Sequence, residues 1–182
     1  GEDNNGTSQG GVTYSTEGII NTALGFSGAS NSYLVLDSEI TFTANDSWTA
    51  GFWANKTPGD TCGAIEGTCG MIMGKRGVGS DFIWMWTDNL FRYRNSAGFS
   101  FDFTQVQNFE GWHYYTLVAN GTAAKLYLDG EYNSTVAGTT TLRVTTIGDA
   151  HTASYVMKGT LYEIALWNRS LSAEEINTIY IR

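Results

Sequence analysis

The 182 residues suit one domain, and with 42% hydrophobic and 14% aromatic residues they can bury one sizeable core. Asp and Glu outnumber Lys and Arg by 18 to 10, a net charge of −8, and Lys75-Arg76 is the only adjacent basic pair, so a nucleic-acid partner is not expected. No run reaches the roughly 18 to 20 apolar residues that cross a bilayer as a helix, so membrane insertion of this chain is not expected either.

Residues 1–11 are polar and rich in Gly, Asn and Asp, and read as a tail or linker ahead of a domain over 12–182. The N-terminus has neither the basic nor the apolar region of a signal peptide, so the chain reads as a mature or excised piece. From Val12 onward strands alternate with turns. Ala23 to Gly28 leads through a polar turn into Tyr33-Leu34-Val35-Leu36, and Ile40 to Thr43 precedes a turn at Asn45-Asp46. In Ser47 to Lys56 the two-residue period puts Trp48, Ala50, Phe52 and Ala54 on one apolar face and Thr49, Gly51, Trp53 and Asn55 on the other, which assigns Trp53 to the outer face.

The stretch Thr57 to Gly70 is a loop holding the only proline, Pro58, and both cysteines. An even pair in such a loop reads as a Cys62–Cys69 disulfide. Closing so small a ring is worth about 2.5 kcal/mol at most, so it would pin the loop and not the fold. Phe82, Trp84 and Trp86 share one strand face opposite Ile83 and Met85. After a turn at Asp88-Asn89, Arg92 and Arg94 lie opposite Phe91 and Tyr93 in the partner strand. Phe99 to Phe103 alternates aromatic with polar residues. A hairpin follows, from Gly111 to Val118, round Asn120-Gly121, and back through Lys125 to Leu128, with a second turn at Asp129-Gly130. Thr141 to Gly148 runs into a polar loop that carries His151. Leu161 to Trp167 alternates again as a strand. Ser172 with Glu175 then forms a capping box, Leu171 and Ile176 are spaced for a hydrophobic staple, and Ile176, Ile179 and Tyr180 share a helix face.

Glu163-Ile164 followed by Asn168-Arg169-Ser170-Leu171-Ser172-Ala173-Glu174-Glu175-Ile176 closely resembles the ending of laminin G-like, concanavalin A-like jelly-roll domains. Trp112-His113-Tyr114 with Leu126-Tyr127-Leu128-Asp129-Gly130 resembles the same family's central hairpin, and Ile147-Gly148 resembles its loop before the closing strand. The resemblance covers about Val12 to Ile181. It agrees with the order of elements in implying an all-β, two-sheet antiparallel jelly-roll sandwich with one short C-terminal helix.

Many members of that family hold a structural calcium near an early Phe-Asp-Gly and a closing Asp-Glu. Here those places read Phe26-Ser27-Gly28 and Tyr162-Glu163, so two expected carboxylates are missing. Glu163 remains as a candidate calcium ligand at the closing place, and Asp149 with Asp81, in loops, could build a different calcium site. Glu163 is read more readily as a buried, hydrogen-bonded structural acid.

Catalysis finds little support. A glycosidase needs two carboxylates roughly 5 to 9.5 Å apart, and no Glu-x-Asp-x-x-Glu strand motif occurs. Nor do Arg92, Arg94, His113 and the tyrosines have the spacing of a jelly-roll lyase. Glu174-Glu175 suits a helix start, where negative charge meets the dipole.

Sugar binding has better raw material, because an exposed aromatic face stacks on a pyranose while polar groups meet its hydroxyls. The best sets sharing a face are Trp53 with Asn55, Trp84 with Trp86, and Arg92 with Arg94, although sandwich cores also take large aromatics. Six Asn-x-Ser/Thr triplets, at Asn5, Asn45, Asn55, Asn120, Asn133 and Asn168, are candidate glycosylation sites, and with the cysteine pair they favour a secreted or cell-surface protein. The expected function is a non-catalytic recognition or adhesion module that binds a glycan or glycoprotein. The alternative is a glycosylated structural subunit of a surface assembly such as a filament or S-layer. A polysaccharide-degrading enzyme is the third reading.

Overall fold

The computed structural model describes residues 5–57, 61–62, 65–66, 70–77, 81–86, 90–104, 106, 110–150 and 155–182. In chain order the strands are β1 (Gly6–Gln9), β2 (Thr13–Glu17), β3 (Thr22–Ser27), β4 (Tyr33–Phe42), β5 (Trp48–Lys56), β6 (Thr61–Cys62), β7 (Ile65–Glu66) and β8 (Met71–Gly74). There follow β9 (Phe82–Trp86), β10 (Leu90–Arg94), β11 (Ser100–Phe103), β12 (His113–Ala119), β13 (Ala123–Leu128), β14 (Glu131–Ala137), β15 (Leu142–Ile147) and β16 (Lys158–Trp167), then the helix α1 (Ala173–Tyr180).

Two seven-stranded antiparallel sheets face each other. The first has the order β1-β4-β15-β8-β9-β10-β11 and the second β14-β13-β12-β5-β16-β3-β2; β6 and β7 pair separately. This is the expected jelly-roll sandwich with a single short helix at its C-terminal end. The apolar face read in β5 supplies the core: Trp48, Ala50, Phe52 and Ala54 are fully buried. Across from them lie Ile83, Met85, Phe91, Tyr93, Phe101 and Phe103 of the first sheet. Ring contacts bridge the sheets, Trp48 meeting Tyr93 edge-on at 5.3 Å and Phe52 stacking on Phe91 at 6.4 Å. Burial of each such side chain contributes roughly 1.5–3 kcal/mol. Strand alternation then sends Phe82, Trp84, Trp86, Arg92 and Arg94 to the outer face of the first sheet.

The capping box forms as read. Ser172 Oγ accepts from the Glu175 amide at 3.2 Å and Glu175 Oε2 from the Ser172 amide at 2.8 Å. Leu171 and Ile176 are buried together with Val118 and Tyr127. The second hairpin turn has Asp129 at φ 51° and Gly130 at φ 81°, the positive pair that a tight two-residue hairpin requires.

Three expectations change. Part of the polar segment 1–11 is an edge strand: β1 pairs with β4 from Gly6 opposite Leu36 to Gln9 opposite Tyr33. Its four residues are all exposed, and backbone pairing at a sheet edge asks for no apolar side chain. The closing strand does not alternate evenly, because Tyr162 pairs with Trp53 but Ala165 with Gly51, so Glu163 and Ile164 together face Phe52 as a bulge. Glu163 takes φ 47° there and is exposed, not the buried acid anticipated. Cys69 and His151 lie outside the described residues, and so does the expected Cys62–Cys69 bridge.

Candidate functional site

The register of β8 to β11 lines up side chains in rows across the outer face of the first sheet. Met71 stands opposite Trp84, Trp84 opposite Arg92, and Arg92 opposite Asp102. A neighbouring row runs Gly74, Phe82, Arg94, Ser100. Tyr155, from the segment leading into β16, closes the group by meeting Trp84 edge-on at 4.9 Å. Together these residues enclose a cleft of about 230 Å³ lined by Met71, Phe82, Trp84, Trp86, Arg92, Arg94 and Tyr155.

Within the cleft the two indoles stack at 5.2 Å with 18° between their planes. Trp84 is only 5% exposed and belongs to a small apolar cluster with Met71, Phe82 and Ala150, so it is the floor and not a free platform. Trp86 is half-buried and forms a wall; its Nε1 is buried without a hydrogen-bond acceptor among the described residues. Arg92 lies over the Trp86 ring, its Cζ 3.8 Å from the centroid. The same guanidinium donates from Nε and Nη2 to the two Asp102 oxygens at 2.6 and 2.7 Å. Two of its five N–H donors are thus engaged and three remain. Arg94, half-buried on the same strand face, has no ion pair or hydrogen bond from its guanidinium among the described residues.

The other predicted pair lies on the opposite sheet. Trp53 is on the outer face of the second sheet, as read, but α1 lies beside it: its ring is 5.3 Å from Tyr114 and 5.5 Å from Tyr180. It lines a separate cavity of about 390 Å³ with Ile19, Ile20, Tyr162, Glu163 and Tyr180. Asn55 is half-buried and does not line that cavity. The six sugar-binding candidates therefore divide into Trp84, Trp86, Arg92 and Arg94 on one face and Trp53 and Asn55 on the other.

The candidate metal ligands Asp149 and Glu163 have unlike surroundings. Asp149 is fully buried, with Oδ2 3.2 Å from Arg76 Nε and, among the described residues, neither carboxylate oxygen in a well-aligned hydrogen bond. Burial pushes its pKa up to about 6 against the opposing pull of Arg76. Glu163 stands exposed on the bulge. Among the described residues no three His, Cys, Asp or Glu side chains gather where a cation would be held. Of the candidate glycosylation sites, Asn5, Asn45, Asn120 and Asn168 are exposed while Asn55 and Asn133 are half-buried.

Sequence reading put Phe82 on the face of Trp84 and Trp86 without counting it in the site, and it missed Met71, Asp102 and Tyr155. The signal for Asp102 lies in the alternation of Ser100-Phe101-Asp102-Phe103, which puts it away from two core aromatics. Pairing it with Arg92 needs the β10–β11 register, which the spacing alone does not give. Tyr155 arrives from a different part of the chain and leaves no local signal.

Two facing seven-stranded antiparallel sheets with one short C-terminal helix define a jelly-roll sandwich. The family model described as the concanavalin A-like lectin/glucanases superfamily, of laminin G type, matches residues 27–177, and the chain belongs to that family. No curated protein sequence matches it. Among solved structures, domain 4 of AbnA, a GH43 extracellular arabinanase from Geobacillus stearothermophilus in complex with arabinotriose, is similar with a TM-score of 0.69 at 14% identity, over 94% of this chain and 82% of that one. The botulinum neurotoxin serotype G binding domain is similar with a TM-score of 0.66 at 12% identity, over 98% of this chain and 46% of that one. The binding domain of Paraclostridial Mosquitocidal Protein 1 gives 0.65 at 14% identity, over 97% and 47%. The chain thus spans about half the length of these toxin binding domains. At such identities the likeness is one of fold.

Proposed function

We propose that this domain is a non-catalytic extracellular recognition module that binds glycan in the cleft of Trp84, Trp86, Arg92, Arg94 and Tyr155. The observation that carries the reading is the aromatic cleft with two guanidinium groups at its edge, one fixed and one without a partner among the described residues. Apolar walls suit the C–H face of a sugar ring, and guanidinium N–H groups suit its oxygens. The Asp102 clamp and the Trp86 ring hold Arg92 in place before any ligand arrives, which lowers the entropy lost on binding. Among the described residues no carboxylate lines the cleft, and Asp102, beside it in the next strand, is engaged by Arg92. That favours binding over hydrolysis, which needs two free carboxyl groups across the ring. The lectin-type family and the arabinotriose complex of a similarly folded domain lend further support. A glycan array probed with the native domain and with Trp86→Ala tests the reading. Specific retention that disappears in the variant is expected; retention on no glycan would overturn it.

One observation favours the alternative of a structural surface subunit. Ile19, Ile20 and Ile181 are 40%, 65% and 70% exposed, and all three line the cavity at Trp53 and Tyr180. Such apolar exposure suits a contact between subunits. Size exclusion and electron microscopy of the native protein test it: ordered polymers are expected under this reading, and a monomer at all concentrations would exclude it.

A further inference from the structure

Arginine pairing in this molecule follows a pattern with one interior exception. Arg76 meets Asp149 at 3.2 Å, Arg92 meets Asp102 at 2.6 Å, Arg143 meets Asp81 at 2.6 Å, and Arg169 meets Glu175 at 2.7 Å. Arg182 is the last residue. Arg94 alone among the others has no carboxylate among the described residues, in a chain where acids outnumber bases 18 to 10.

Its position makes this informative. Arg94 lies two residues from Arg92 on the same strand face, so the two side chains leave the backbone about 7 Å apart. Asp102 neutralises Arg92, which leaves the described lining of the cleft with a net charge of +1 set against the aromatic wall. Each of the neighbours that register gives Arg94, Phe82 and Ser100, is uncharged. A guanidinium held in a half-buried cleft with an apolar wall attracts an anion more strongly than one in open water, because the local dielectric is lower. It also presents a planar fork that fits two oxygens of a carboxylate or a sulfate at once.

We infer that the glycan taken by this cleft is acidic, with its carboxylate or sulfate on Arg94 and its ring against Trp86 and Tyr155. The inference rests on the glycan-binding reading above and adds the ligand's charge to it. The two guanidinium groups divide the work. Arg92, already neutralised and fixed, directs its spare N–H groups to uncharged hydroxyls. Arg94 supplies the charge. Lysine would not serve equally well at this position, since an ammonium offers no planar fork.

The test is a titration with paired probes: oligogalacturonate against its carboxyl-reduced counterpart, and a sulfated galactan against the unsulfated galactan. The native domain is compared with Arg94→Gln, and with Lys125→Gln, which removes one exposed positive charge from the second sheet. At least one acidic probe should bind tenfold or more tightly than its neutral partner. Arg94→Gln should erase that preference while Lys125→Gln keeps it, and the pair that shows it tells carboxylate from sulfate. Thermal melts that match the native domain confirm that the variants fold; if Arg94→Gln fails to fold, Arg94→Lys takes its place and should lose most of the preference. Equal binding of neutral and acidic probes overturns the inference and leaves the glycan-binding reading standing. An acidic preference that survives Arg94→Gln overturns the assignment to Arg94. Binding of no probe, charged or neutral, counts against the acidic ligand, and only an array empty of every glycan removes the glycan reading with it.

Discussion

The guanidinium carbon of Arg92 lies 3.8 Å from the centre of the Trp86 ring. A cation over an indole face is drawn to the ring quadrupole, and the two-point bond to Asp102 fixes the other edge of the same group. An otherwise flexible side chain is therefore held from two directions on the outside of a sheet. That arrangement does little for the core, which lies on the other side of β9 and β10. It gives the outer cleft a rigid polar edge.

The first prediction concerns that clamp. Arg92 and Asp102 side chains are 18% and 37% exposed, so solvent and salt screen their attraction. A double-mutant cycle of Arg92→Ala and Asp102→Ala is expected to give a coupling of about 1 kcal/mol or less, as for exposed pairs. Denaturant melts measure it, and the coupling should shrink when salt is raised.

Trp84 and Trp86 are expected to differ sharply on truncation. Trp84 is 5% exposed within the Met71, Phe82 and Ala150 cluster, so Trp84→Ala should cost about 3–5 kcal/mol. Trp86 is half-buried at the cleft wall, and Trp86→Ala should cost clearly less stability while removing most of the glycan affinity. Melting temperatures and binding titrations of the two variants separate the roles.

Asp149 predicts a pH dependence with a definite sign. Burial raises its folded pKa from 3.8 to about 6, so between about pH 4 and pH 6 the folded state holds a proton that the unfolded chain has already released. Its contribution to stability is therefore largest below pH 4, declines as pH rises through that window, and is flat above it. The change is on the order of 2–3 kcal/mol. Stability measured against pH should show Asp149→Asn gaining on the native domain as pH rises from 4 to 6 and gaining no further beyond.

The C-terminal cap predicts the opposite direction. Arg169 first, and then the Ser172 amide, hold the Glu175 carboxyl down at about 2. Its contribution is present above the ordinary value of 4.5 and is lost as pH falls from there towards 2. Ser172→Ala removes the reciprocal half of the box and should cost about 1 kcal/mol, read from urea melts at neutral pH.

Most of the fold was legible because its signals are local. The Trp48 to Ala54 alternation, the Asp129-Gly130 turn and the Ser172–Glu175 box each specify their own geometry. The bulge at Glu163 was not legible, since an extra residue in a strand shows only against its partner, here Phe52 of β5. The site was legible in part for the same reason. Alternation put Trp84 with Trp86 and Arg92 with Arg94, and the Asp88-Asn89 turn made their strands partners, whereas the register that sets Arg92 opposite Trp84, and the joining of both to Asp102 and Tyr155, depends on contacts no single strand specifies. Trp53 was assigned to the correct face, but the cover beside it comes from Tyr180, over a hundred residues later in the chain.

The most direct test of the central claim follows the six tryptophan indole N–H resonances of the isotope-labelled domain during titration with a glycan that it retains. Trp86 Nε1 is buried beside the cleft without an acceptor among the described residues, and the Trp84 ring is stacked against the Trp86 ring. Binding in the cleft predicts that the Trp84 and Trp86 signals shift in a saturable way while those of Trp48, in the core, and Trp53, on the opposite sheet, stay in place. Saturable movement of the Trp53 signal, with Trp84 and Trp86 unmoved, would contradict the account.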